Sequence, residues 1–142
     1  MISLLAERLS NSFSNNNEDL LYEMANLYQA DTNLPMIIWI SPKGNAKHGP
    51  RIKVAVNKSH KANIGDSVSI SISDDPKIVA GKDLSFEYFK LARRFVLLNK
   101  DLLIKYWNYE ITSTKAVLNS LILYSEQNWN KFKKNNKKYE NY

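Results

Sequence analysis

Apolar and polar residues along this chain follow two different rhythms, and the change from one to the other marks its organisation. Near the start, Ile2, Leu5 and Leu9 recur at helical spacing, and residues 11–17 then form a Ser/Asn-rich break. Asn17 is placed to cap a second helix, because its side-chain oxygen can accept backbone N–H bonds. Glu18 and Asp19 suit the positive end of that helix's dipole. Leu20, Leu21, Met24, Leu27 and Tyr28 give it an apolar face, and it is expected to stop near Asp31, Thr32 and Asn33, ahead of Pro35.

The middle of the chain changes to period two. Met36, Ile37, Ile38, Trp39 and Ile40 form a short apolar run after a proline, which predicts a buried strand. Over 51–57, Ile52, Val54 and Val56 face one way and Arg51, Lys53 and Ala55 the other. Over 67–73, Val68, Ile70 and Ile72 alternate with serines. Such alternation predicts a sheet with one packed and one wet face. Gly44, Gly49-Pro50 and Gly65-Asp66 supply turns, and Ile78, Val79 and Ala80 suit a short edge strand.

Helical spacing then returns. Leu84, Tyr88, Leu91, Phe95 and Leu98 form a stripe widened by Phe89, Ala92 and Val96, with Glu87, Lys90, Arg93 and Arg94 opposite. A second helical piece spans 101–109 with Leu103, Tyr106 and Trp107. Thr112 or Ser113 can cap a third, whose stripe is Val117, Leu121 and Tyr124 beside Leu118 and Ile122. Strands followed by helices without βαβ alternation predict an α+β fold. The expected form is a small antiparallel sheet of three to four strands packed on C-terminal helices, with an N-terminal helical arm. The divisions are an arm over 1–35, a core domain over 36–126 and a basic aromatic tail over 127–142.

With 142 residues, 44% of them hydrophobic, the chain can bury one core and is too short for two. Its longest apolar run, 36–40, is strand-length, so no transmembrane span is expected. The first residues lack a basic region followed by a sustained apolar run, so no secretory leader is expected. The absence of cysteine excludes disulfides, thiolate metal sites and a cysteine nucleophile, and a cytoplasmic protein fits best.

Charge alters the picture more than composition does. Residues 1–35 set Arg8 against Glu7, Glu18, Asp19, Glu23 and Asp31, whereas the whole chain is net +6. Lys43, Lys47, Arg51, Lys53, Lys58 and Lys61 occur without one acid between them, and both histidines, His48 and His60, lie in that stretch. Such a segment can steer acidic or phosphate-rich partners; equally, a run of charge can simply solvate a face. The tail interleaves Trp129, Phe132, Tyr139 and Tyr142 with Lys131, Lys133, Lys134, Lys137 and Lys138. Rings that stack on bases beside lysines that neutralise phosphates suit single strands or RNA; alternatively Trp129 and Phe132 pack back on the domain.

Catalytic constellations are sparse. The histidines flank one predicted strand and lie roughly 20 Å apart at about 3.3 Å per residue, too far to share a metal or an acid/base task. Zinc would require three or four N, S or carboxylate ligands, and no such cluster is spaced along the chain. Asp74-Asp75 before Pro76 reads as a turn. The loop 43–50 lacks the glycine spacing of a phosphate-cradling loop. If catalysis exists, His48 beside Lys43, Lys47 and Arg51 would act as general base in phosphodiester cleavage.

Three stretches carry a family resemblance. They are His48-Gly49-Pro50-Arg51-Ile52-Lys53-Val54; the run from Ser71 to Gly81 containing Asp74-Asp75-Pro76; and the run from Leu98 to Asn108 containing Tyr106-Trp107. Together they resemble small bacterial proteins of domain of unknown function 4160, over about residues 36–120. The resemblance implies a compact α+β domain of bacteria or their mobile elements, sometimes beside toxin–antitoxin-type genes, with no established reaction or cofactor. It also implies core roles for Leu102, Leu103, Tyr106 and Trp107. Family members often carry several histidines around this strand, where here Arg51 and Lys53 stand.

The expectation is a non-enzymatic bacterial or phage-type accessory protein that binds and modulates a macromolecular partner and needs no cofactor or metal. Its contact surface would be Lys43, Lys47, His48, Arg51 and Lys53. The first alternative is RNA or DNA binding by the same surface plus the tail residues Trp129, Lys131, Phe132, Lys133 and Lys134. The second is a His48-centred nuclease. The partner would be protein or nucleic acid and not a membrane, and the acidic N-terminal arm offers a route to a homodimer.

Overall fold

A computed structural model describes residues 24–58 and 62–142. The predicted helix at 1–10, most of the predicted second helix and His60 lie outside the described residues. Where that second helix enters them, it is not helical. Ala25–Leu27 is instead a strand, β1, with Ala25 and Leu27 buried and Asn26 exposed between them. The helical spacing of Met24, Leu27 and Tyr28 misleads because a three-residue strand is too short to display its own period.

The chain reverses through a one-turn helix, α1 (Gln29–Thr32). The Tyr28 N–H donates to the Asp31 carboxylate at 2.8 Å, and Asn33 ends the turn in the left-handed region at φ 63°. The predicted stop is therefore in place. Three further strands follow as β2 (Ile38–Ile40), β3 (Arg51–Val54) and β4 (Val68–Ser71), and β5 (Ile78–Ala80) completes the sheet. They pair antiparallel in chain order, giving a five-stranded meander, one strand more than the upper expectation. The register sets Ile38 opposite Val54 and Ile52 opposite Ile70, so the apolar sets share one face.

At the exit from β5, Gly81 has φ 95°. A Cβ there would lie 2.8 Å from the Ser67 carbonyl oxygen, so this close turn requires glycine.

The helices are α2 (Phe86–Trp107), α3 (Thr114–Ser120) and α4 (Glu126–Asn135), capped by the hydroxyls of Ser85, Ser113 and Ser125. The two predicted pieces over 84–109 are one helix with a non-helical residue, Asn99 (φ −120°, ψ 16°), at the expected break. Asn99 is buried, and its side chain explains the kink. Its Nδ2 donates to the carbonyls of Phe95 and Ile122 at 3.1 Å each, and its Oδ1 accepts from the Ile122 N–H at 2.7 Å. The extended segment after α3 is thus fastened to the middle of α2. This also ends α3 at Ser120, short of the predicted Leu121 and Tyr124.

Ile38, Ile52, Val54 and Ile70 join Ala92, Phe95, Val96 and Leu103 in one hydrophobic core. Trp129, Phe132 and Tyr139 belong to or pack against the same core. Residues 127–142 therefore form an integral part of it, because the rings of this segment find apolar neighbours on α2 and on each other. Trp129 stacks on Phe132 (5.2 Å between centroids), Phe132 meets Tyr139 (5.5 Å), and Tyr139 meets Tyr142 edge-on (5.0 Å).

Candidate binding surface

The basic loop between β2 and β3 is held against the end of α2. Lys43 N–H donates to the Trp107 carbonyl at 2.9 Å, one of the terminal carbonyls a helix cannot satisfy internally. The Gly44 N–H donates to the Tyr109 hydroxyl oxygen at 2.9 Å. The His48 ring lies 5.7 Å from the Trp107 ring, and its Nδ1 sits 2.9 Å from the Gly49 carbonyl, which accepts a hydrogen bond in the tautomer that carries its proton on Nδ1. Backbone fastening of this kind leaves the side chains of Lys43, Lys47 and His48 exposed.

Arg51 and Lys53 project from alternate positions of β3, on the face opposite Ile52 and Val54, and both are half-buried. Across the ladder, Arg51 faces Ser71, and Lys53 stands between Trp39 and Ser69. Arg51 Nε is buried and has no hydrogen-bond partner. Burial, and secondarily the neighbouring Arg51 charge, holds the Lys53 ammonium below its ordinary range.

Elsewhere among the described residues four cations are ion-paired, while others such as Lys90, Lys105, Lys131 and Lys138 are not. Asp75 takes Lys77 (3.4 Å) and Arg93 (2.7 Å), Glu126 takes Arg94 (3.5 Å), and Asp74 takes Lys100. Among the described residues, Lys43, Lys47, Arg51 and Lys53 belong to no ion pair. These cations of the sequence segment thus stay without an acidic partner among the described residues.

The tail residues fare differently. Trp129 is fully buried, with the Arg94 guanidinium 5.0 Å from its ring centroid, so it cannot stack on a base. Phe132 is half-buried against Trp129 and Tyr139. Lys131 and Lys134 are exposed, and Lys133 is half-buried. Of the two readings of the tail, the structure shows the packed one for Trp129 and Phe132, which leaves a packed segment bearing surface lysines. Sequence spacing alone could not separate these, because the same aromatic positions serve either role.

The tail's last turn is clasped to the body. Tyr142 Oη donates to Asp75 at 2.6 Å, Tyr139 Oη to the Asp74 carbonyl at 2.8 Å, and Arg94 Nη2 to the Tyr142 carbonyl at 2.7 Å. Hydrogen bonds from Lys100 and Tyr142 hold the Asp74 and Asp75 carboxyls below the usual carboxylate range. Residue pattern alone sets Arg93 and Arg94 on a wet face and Asp74-Asp75 in a turn, and carries no sign of this junction.

Among the described residues, no three His, Asp or Glu side chains converge as a metal site would require. No described helix is long and apolar enough to cross a membrane. A scan of family models and searches of curated proteins and solved structures returned no match to the chain. The resemblance to domain of unknown function 4160 accordingly stays a reading of the sequence.

Proposed function

We propose that this protein is a binding module that engages a negatively charged macromolecular partner through the surface of Lys43, Lys47, His48, Arg51 and Lys53, without performing catalysis. The observation that supports this reading most is that the cations of one pinned loop and the strand it feeds have no acidic partner among the described residues, with Arg51 Nε buried and without a hydrogen-bond partner. Half-burying Arg51 and Lys53 weakens their hydration, and an arriving anionic group would compensate for that loss. The pinned loop adds a pre-shaped contact that loses little entropy on binding. An acidic protein surface is the partner this arrangement fits best. The resemblance to a family of bacteria and mobile elements agrees with an accessory role.

The test is capture of partners from the native cell on immobilised protein, comparing wild type with Lys43→Glu/Lys47→Glu. Both lysines are exposed, so the double variant should keep its stability and lose the partner. Capture that survives nuclease and disappears in the variant supports the proposal. A partner lost on nuclease treatment transfers the surface to nucleic acid. Equal capture by both proteins refutes it. Cleavage of RNA by wild type but not by His48→Ala would replace it with the nuclease reading.

A further inference from the structure

The long helix α2 presents a second, independent feature at its other end. Phe86, its first residue, is 79% exposed, the most exposed large hydrophobic among the described residues. Phe86, Phe89, Lys90 and Arg93 stand at i, i+3, i+4 and i+7 along one flank of α2, with Phe89 half-buried at the edge of the core. The tail brings Tyr142 and Lys138 against this row, closing a groove of about 340 Å³.

The groove combines two chemistries. Its rings are Phe86, Phe89 and Tyr142. The Arg93 guanidinium lies between the last two, 4.9 Å from the Phe89 centroid and 4.1 Å from that of Tyr142. Asp75 balances Arg93, whereas Lys90 and Lys138 take part in no ion pair among the described residues. Lys90 lies within electrostatic reach of Glu126, and Lys138 of Asp74 and the Tyr139 ring, but neither is ion-paired, so an apolar ligand would leave their charge unused and a compact anion would leave the rings wet. A planar ring joined to a phosphate satisfies both.

From this we infer that the groove holds one nucleotide unit of a single-stranded nucleic acid, its base stacked on Phe86 and its flanking phosphates against Lys90 and Lys138. Phe86 is suited to this task because it faces solvent while Ser85 caps its backbone turn through the Tyr88 N–H. The helix N-terminus adds partial positive charge near the phosphates, and Glu87, a quarter-turn away, opposes it. This site stands apart from the basic loop, which is fastened to the other end of α2. The 22 residues of α2 set the two ends roughly 30 Å apart at about 1.5 Å per residue.

Binding of a fluorescein-labelled oligouridylate, read by anisotropy at low salt, tests the assignment. Phe86→Ala should weaken binding about 5- to 150-fold and leave the melting temperature unchanged. Phe86→Trp should retain affinity. Lys90→Glu/Lys138→Glu should weaken binding and flatten the log–log salt slope by about 1.4 units. No binding by wild type, or full binding by Phe86→Ala, overturns the inference. Uridine monophosphate binding as tightly as the oligonucleotide overturns the strand as ligand. Oligonucleotide binding that fails in Lys43→Glu/Lys47→Glu but persists in Phe86→Ala overturns the inference and places nucleic acid on the loop–strand surface. Partner capture that fails there while this groove still binds separates the two proposals.

Discussion

Replacing Asn99 by alanine should destabilise the protein far more than its size suggests. Asn99 makes three hydrogen bonds, two of them to Ile122 across 23 residues of sequence. Each is worth about 1 kcal/mol net, and leaving the Ile122 N–H partly buried without its acceptor adds about 1 kcal/mol or more. Alanine's higher helix propensity returns about half a kcal/mol. The expected loss is about 3.5 kcal/mol, or roughly 12 °C in Tm for a domain of this size. Urea unfolding followed by tryptophan emission reads it, since Trp39, Trp107 and Trp129 are all buried.

Asn99→Asp sharpens the test. An ionised carboxylate can still accept from Ile122 N–H but faces the Phe95 and Ile122 carbonyls with nothing to donate. That repulsion raises its folded pKa above the ordinary value of about 4, so the variant should recover stability relative to wild type as pH falls. If Asn99→Ala lies within about half a kcal/mol of wild type, or Asn99→Asp shows no pH dependence, the kink is not held by this side chain.

Two further predictions concern the tail. Trp129→Ala should cost about 3–5 kcal/mol, as for a large ring removed from a core, whereas Trp129→Phe should cost far less, because Trp129 Nε1 is buried without a partner; equal and small effects in thermal unfolding would show a solvated tail. Asp74 and Asp75 are held below their ordinary range, so their contribution is present above pH about 4 and lost as pH falls through the lowered values. The stability difference between wild type and Tyr142→Phe should accordingly be greatest at neutral pH and shrink in acid; a difference that widens in acid contradicts the clasp.

Much of the architecture was legible from residue order. Alternation at Ile52/Val54 and Val68/Ile70, capping by Ser113 and the break between Leu98 and Asp101 are local signals, and local backbone physics obeys them. The strand at Ala25–Leu27 was not legible, because three residues carry no period and its pairing with Ile38–Ile40 comes from elsewhere in the chain. For the candidate surface, the acid-free run was visible in order. That Trp107 and Tyr109 pin its loop was not.

What this chain's residues determine unaided is which stretches run without an acid nearby in sequence and where apolar residues alternate or recur at helical spacing, since both follow from side-chain type and order. Only three-dimensional packing decided that Trp129 is interior and Phe86 is not. Both are aromatic and both lie among charged neighbours; they differ in what the fold brings against them. Core surface reaches Trp129 from α2, while only the rim of a groove reaches Phe86. A ring's fate depends on contacts distant in sequence, and no local pattern encodes those.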